Sequence, residues 1–410
     1  MDFELSAEQQ SWRDEVRAFL AGNVTLELRE ELRRMEAIGE GPLLREFRGK
    51  VGAKGWYALN WAPEYGGLGK SAIERHLLSY EFDYAGVPGP DLTVTSIAPM
   101  IMSHGTAENK ADFLPGIASG EITVVVGYSE PNAGTDLASL TTRAELDGDE
   151  WVINGSKIWN TRAHMATHEW LCARTDPAAS RHRGISVIMV PVDTPGIEVR
   201  PLYTWRDLRT NETFFTDVRV PRRNLIGQVN TGWQYITGAL DLERGALTNA
   251  GDLRRAVDEL IAFCRRHPLG GRLLIDESSV RRRLAELDAD VEVARLYGLE
   301  AASLIDTGVI PTVTVTAEKI FTSELRQKIA DYGTQILGAY GQLDGQDPLA
   351  PDGGAMERLY RRAPLLRFGG GTNEVLRDVI AQRGYGMPDY GRTRRTSDGA
   401  GSGRQEAGSR

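Results

Sequence analysis

Apolar positions along the chain change their period twice. Up to about residue 120 they recur three and four apart, the mark of helices with one buried stripe. Ser6 and Gln9 make a capping box ahead of a helix that places Trp12, Val16, Phe19 and Leu20 on one face, with Gly22 as its expected stop. Helical pattern resumes over residues 26–59, broken by Gly39, Gly41 and Pro42. The cluster Pro63-Glu64-Tyr65-Gly66-Gly67 predicts a turn before a helix over 74–84, and a further helical block runs to about Gly120. The period then falls to that of strands. Residues 122–127 are a short β-branched run, and residues 150–154 follow an Asp147-Gly148 turn, which signals a hairpin. Residues 170–174, 185–192 and 213–218 predict further strands. From about residue 236 helical periodicity returns, with long helices expected over 280–304 and 316–337.

This pattern predicts an α+β fold. An N-terminal helical domain spans 1–120, a small β-barrel or sandwich 121–235, and a C-terminal four-helix bundle 236–388. Residues 389–410 are rich in Gly, Ser and Arg without periodicity and are expected to be disordered. No internal repeat is evident.

Composition narrows the function. Hydrophobic residues make up 41% of the 410, so a sizeable core can form. A net charge of -9 argues against a dedicated nucleic-acid binder, and the basic run Arg281-Arg282-Arg283 reads as a solvated helix face. Cys172 and Cys264 make neither a disulfide framework nor a metal spacing, which suits a cytoplasmic location. The charged first twenty residues resemble neither a signal peptide nor a membrane span.

Chemistry enters with the stretch Tyr128-Ser129-Glu130-Pro131-Asn132-Ala133-Gly134-Thr135-Asp136 and the later Trp159-Asn160-Thr161. Taken singly, Trp159 would be a core residue and Ser129-Glu130-Pro131 a turn. In this order and spacing, the two segments resemble the middle domain of the acyl-CoA dehydrogenase family. The resemblance covers nearly all of residues 1–388. It takes in Gly55-Trp56, the Glu64 to Gly69 run, His104-Gly105-Thr106 and Leu114-Pro115. It implies FAD as cofactor, with Val126, Tyr128 and Ser129 along the isoalloxazine and Thr135 near the diphosphate or the acyl-CoA. Trp159 would pack on the ring, and the Thr161 hydroxyl would lie near N5, where hydride arrives. Gln335, Gly338, Thr372 and Glu374 resemble the family's C-terminal contacts to FAD, the first pair reaching a neighbouring subunit's flavin. A helix N-terminus after Gly371 offers free N–H groups to an anion.

The implied reaction is α,β-dehydrogenation of an acyl-CoA, which needs a carboxylate to take the α-proton. In the commonest family arrangement the base stands just before the Gly-Thr at 371–372, and here that residue is Gly370. A minority of the family places the base on a bundle helix ahead of an arginine, which matches Glu243-Arg244. Ile236, Leu240, Glu243 and Leu247 share one helical face, so Glu243 would sit in an apolar stripe where desolvation raises a carboxyl pKa. On spacing alone it reads rather as a charged helix residue paired locally. Asp241 and Arg244 are expected near the CoA or orienting Glu243, and Gly371 is expected to leave room for substrate. The resemblance further implies an electron-transfer flavoprotein as acceptor. It also implies a homodimer, a homotetramer or a heterotetramer with a related subunit. The last is suggested because residues 263–273 lack the family's Arg-x-x-Phe-Gly. Two other readings stand beside it: an oxygen-using oxidase or monooxygenase on the same fold, and a non-catalytic subunit completing another chain's site. The pair His164 and His168 lacks a third metal ligand, and no hydrolase elbow, P-loop or dinucleotide fingerprint occurs.

Overall fold

The computed structural model describes residues 4–38, 40–205, 209–246 and 250–388. The 389–410 segment and Gly39 lie outside the described residues. Six helices come first: α1 (Ala7–Asn23), α2 (Leu26–Ile38), α3 (Pro42–Ala53), α4 (Ala72–Ala85), α5 (Ala98–His104) and α6 (Ala107–Ser119). The capping box at α1 forms as expected, with Ser6 Oγ accepting from Gln9 N at 3.2 Å and Gln9 Oε1 accepting from Ser6 N at 2.9 Å. Gly22 does not end this helix. The chain stays helical through Asn23 and turns at Val24, because a glycine permits a left-handed stop without imposing one. Where the stop does fall on glycine, as at Gly120 after α6, φ is +83°. A π-helical turn over Thr93–Ile97 leads into α5.

Seven strands follow: β1 (Val124–Gly127), β2 (Arg143–Asp147), β3 (Glu150–Ile158), β4 (His168–Arg174), β5 (Ile185–Pro191), β6 (Ile197–Tyr203) and β7 (Arg209–Pro221). β1 pairs in parallel with β4, and β5 pairs antiparallel with β4. The β2–β3 hairpin, with Asp147 opposite Glu150, continues through β7 to β6. These two halves join at one pair, Arg143 opposite Arg174. They also share a core of Trp151, Ile153, Leu171, Ile188, Phe215 and Val218, which makes the mixed sheet a sandwich folded on itself. The sequence pattern missed β6. It is an outer strand of largely exposed residues carrying Pro201, a residue that only edges tolerate.

β4 and β5 are buried on both faces. Trp170, Cys172, Val187 and Met189 belong to the core of the N-terminal helices, while Leu171, Ala173, Ile188 and Val190 fill the sandwich. The alternation is strict because successive side chains point to opposite faces.

The C-terminal part holds α7 (Gly232–Ala246), α8 (Gly251–Cys264), α9 (Ser278–Asp306), α10 (Thr312–Leu337), α11 (Ala355–Arg362) and α12 (Asn373–Tyr385). α10 packs against α7, α8, α9, α11 and α12, and is the central column of this bundle. Between α8 and α9 a small hairpin pairs β8 (Pro268–Leu269) with β9 (Arg272–Leu273) through Gly270 and Gly271. No described helix is long and apolar enough to cross a membrane.

One end of the sandwich interior is polar. Lys157, wholly buried, donates to Tyr128 O at 3.1 Å and to Glu130 Oε1 at 2.9 Å. Glu130 also accepts from Thr141 N and Thr142 N. Burial would raise this carboxyl, but the Lys157 charge and these hydrogen bonds together hold it down at about 2. Beside the pair lies Glu169 of β4, 1% exposed, with Oε1 accepting from Asn160 Nδ2 at 3.0 Å and Oε2 lacking a partner among the described residues. Gly127 makes room for it, since a Cβ there would lie 2.1 Å from Oε1. Burial pushes the Glu169 carboxyl up to about 8 against the weaker pull of Lys157, Thr213 and Asn160.

Two stability predictions arise. A carboxyl raised from its ordinary 4.5 to about 8 binds more protons folded than unfolded, so its contribution to stability falls as pH rises between those values, by about 1.4 kcal/mol per unit. Glu169→Gln mimics the protonated acid and is expected to be neutral near pH 5 and increasingly stabilising towards pH 8. Thermal unfolding at pH 5.5, 7 and 8.5 checks this, and a shift independent of pH contradicts it. Lys157→Met strands the Glu130 charge in the interior and is expected to cost on the order of 3–5 kcal/mol, read by denaturant unfolding.

Candidate active site

The expected flavin-facing segments meet at this polar end of the sandwich. Val126 is in β1, and Tyr128 and Ser129 extend it. Ser129 O accepts from Ile158 N at 2.9 Å, which draws the end of β3 alongside. The turn that follows is held by Asn160. Its backbone N–H bonds Asn211 O at 3.1 Å, its carbonyl accepts from Asn211 Nδ2 at 2.8 Å, and its Nδ2 also donates to Val126 O at 3.0 Å. Trp159 is thereby fixed at φ +68°, a left-handed posture rare for a bulky residue, and its ring is 57% exposed. A tryptophan that served only as core would not be strained outward, and the buried bonds of Asn160 offset that strain. Thr161 Oγ1 donates to Thr210 Oγ1 at 3.1 Å on β7. The exposed indole, the adjacent hydroxyl and the extended Val126–Ser129 strand fit a flat ring with one polar edge. Thr135 lies in the exposed turn beyond the Glu130–Ala133 bridge.

The bundle supplies a second group. Gly370 and Gly371 have φ of +69° and +103°, and Thr372 Oγ1 accepts from Val375 N to cap α12. Lys319 of α10 reaches this loop, donating to Gly371 O at 2.7 Å and to Asn373 Oδ1 at 2.9 Å. Glu374 stands exposed in the first turn of α12. Backbone donors at that helix start remain available to an anion.

Glu243 lies on α7 with Asp241 and Arg244, and this helix packs against α10 and the Thr93–Ile97 turn. Ile236 is fully buried and Leu240 packs on the same core. The side chains of Asp241, Glu243 and Arg244 lie outside the described residues, as does Leu247. Gln335 and Gly338 are exposed at the C-terminal end of α10, with Gln335 Nε2 donating to Asp331 at 2.8 Å. At 1.5 Å per residue they stand about 24–28 Å along the helix from Lys319, so this chain does not bring them to its own Gly371 loop. The segment read as a degraded Arg-x-x-Phe-Gly forms the β8–β9 hairpin, with His267 stacked on Phe263.

Sequence reasoning missed Asn160, Glu169 and Lys319 as parts of the site. The signal was a charged residue set against an apolar run, Glu169 ahead of Trp170-Leu171-Cys172-Ala173 and Lys319 ahead of Ile320-Phe321, whereas Asn160, in the turn after β3, carried none. His164 is held down at about 4 by burial, then by Arg209 and Arg162. Among the described residues no group of His, Cys, Asp and Glu could hold a metal.

Three family models match in order. The acyl-CoA dehydrogenase N-terminal domain matches residues 6–121, the middle domain 126–218 and the C-terminal domain 230–385. The acyl-CoA dehydrogenase FadE26 of Mycobacterium tuberculosis is 39% identical over 397 residues, covering 95% of this chain and 99% of that one. Among solved structures, the Tcur3481-Tcur3483 steroid ACAD superposes with a TM-score of 0.87 at 39% identity, covering 95% of this chain and all of that one. The ChsE4-ChsE5 complex from Mycobacterium tuberculosis gives 0.86 at 39%, with the same coverage. The chain belongs to the acyl-CoA dehydrogenase family of flavoprotein oxidoreductases.

Proposed function

We propose that this chain is the base-bearing subunit of an FAD-dependent acyl-CoA dehydrogenase that acts on a bulky, steroid-like acyl thioester. The observation that carries it is a vacancy matched by a carboxylate. Gly370 stands where the commoner base would be, and the helix bearing Glu243 packs on α10, the same helix whose Lys319 pins the Gly371 carbonyl. In this reading Glu243 takes the α-proton, and the glycines at 369–371 leave space for a side chain arriving from α7. Asp241 and Arg244 orient it or meet the CoA.

FAD, when bound, supplies the acceptor for the β-hydride. Trp159 would cover one face of its ring, Thr161 would offer a hydroxyl at the reacting edge, and Val126, Tyr128 and Ser129 would follow the polar edge. Thr135, Thr372 and Glu374 serve the cofactor's diphosphate and adenosine sides. Gln335 and Gly338, exposed and remote from the Gly371 loop, suit a neighbouring subunit's cofactor. A related but unlike subunit is supported by the hairpin at 268–273 and by two similar solved structures whose names join two chains. The names of the relatives also support the steroid-like acyl group. An electron-transfer flavoprotein then removes the electrons.

Two outcomes are expected. Glu243→Gln in the loaded enzyme lowers kcat by a factor on the order of 10²–10⁴ while the flavin spectrum and binding stay intact. Turnover with an acceptor dye and anaerobic flavin reduction measure this, and unchanged turnover assigns the base elsewhere. Purified alone, the chain is expected to carry well under one FAD per chain and to fill on co-expression with a related subunit. Full loading of the isolated chain in a homo-oligomer would contradict the unlike pairing.

A further inference from the structure

A cavity of about 70 Å³ lies between α4, α9, the start of α10 and the Thr93–Ile97 turn. Its polar wall comes from one face of α4, on which Arg75, His76, Ser79 and Asp83 fall within successive turns. Gly298 of α9 lies opposite and lets the imidazole in, since a Cβ there would sit 2.3 Å from His76 Cε1.

The Arg75 side chain forms no hydrogen bond or ion pair with any described residue, and although the residue keeps some exposure its Nε is buried without a partner among them. Among the described residues the carboxylate whose field reaches it, Asp306, is already occupied capping α4 through Ala72 N at 2.6 Å and Ile73 N at 3.2 Å. His76 has no hydrogen-bond partner among the described residues either. Burial, then the charges of Arg75 and Arg295, hold it neutral with a pKa of about 3. Asp83 is pushed up to about 8 by burial and by the Asp252 charge, against Arg326 and Arg255. The Ser79 hydroxyl is also unbonded among the described residues. Glu318 of α10 lines the cavity too and has a partner of its own. Holding a guanidinium largely out of water without a partner is costly, and proteins carry such a group where something of opposite charge meets it.

We propose that this cavity is a binding site for an oxygen anion, a carboxylate or a phosphate, gripped by Arg75 with His76 and Ser79 beside it. Arginine suits this role because its planar fork matches two oxygens at once. Two sources share that chemistry. One is a free small anion. The other is an anionic group at the far end of the acyl chain, because the Thr93–Ile97 turn and α10 that wall the cavity also pack on the helix bearing Glu243. This second source rests on the dehydrogenase reading above.

The test uses the flavin-loaded enzyme and its Arg75→Met and Arg75→Lys variants. Thermal unfolding is followed with glutarate or inorganic phosphate at millimolar concentration, and kcat/KM is compared for acyl-CoAs with and without a terminal carboxylate. Arg75→Met is expected to raise Tm without added anion, since a costly unpaired charge is gone, and to abolish the anion-dependent rise. A free-anion site shows that loss with glutarate or phosphate alone. A substrate subsite shows a more than tenfold fall in kcat/KM for the carboxylated acyl-CoA only. Arg75→Lys keeps the charge and loses the fork, so it is expected to weaken either effect partway, and it carries the test should the methionine variant not fold. The proposal is overturned if the variants match the parent with every anion and both acyl-CoAs, leaving Arg75 a water-bound structural cation. The unfolding arm needs no turnover. An enzyme inactive on all acyl-CoAs that still loses its anion response in the variant would refute the dehydrogenase reading and keep the site.

Discussion

The structure turns on two strands that must hide both faces. β4 and β5 send alternate side chains into the N-terminal helical core and into the sandwich, so the two cores share one wall. A wall of this kind leaves no solvent for a polar group, and every such group in it has to be bonded where it stands. Glu169 is the exception that organises its surroundings. It is buried with one oxygen bonded to Asn160, and Asn160 in turn ties β1, β7 and the Trp159 turn together. The posture of the exposed indole thus depends on contacts made in the dry interior behind it.

Much of this was legible in the sequence, for reasons that differ by region. Helix starts with a side-chain cap, such as Ser6 with Gln9, announce themselves because the capping chemistry is local. The Asp147-Gly148 hairpin did so too, its turn residues fixing the register. Strands buried on both faces also read clearly, since β5 is a nearly unbroken apolar run and β4 carries the apolar stretch Trp170-Leu171-Cys172-Ala173. The outer strand β6 was not legible, because an exposed edge needs no apolar alternation and Pro201 argues against it. The earlier start of β7 escaped notice because Thr210 and Asn211, though buried, are polar and bonded through tertiary contacts.

The same divide runs through the site. Trp159, Thr161 and the Ser129-Glu130-Pro131 run could be found by order and spacing, since their residue types are distinctive. Their supports could not. A lysine such as Lys319 on a helix reads as solvated until α12 and the Gly371 loop are folded onto it. The left-handed backbone of Trp159 is invisible in a residue that normally avoids it.

The geometry of α10 bears on assembly. One end of this helix holds the Gly371 loop through Lys319, and the other exposes Gln335 and Gly338 about 24–28 Å along the axis. A rigid column of that length cannot bring both ends to one isoalloxazine ring. On the proposed reading each end therefore serves a different cofactor, its own and a neighbour's. Pairing of like surfaces would satisfy both if the two chains were identical. On the same reading the β8–β9 hairpin, lying where the family's Arg-x-x-Phe-Gly is expected, would remove one half of that exchange and leave the other, an asymmetry that an unlike partner would resolve.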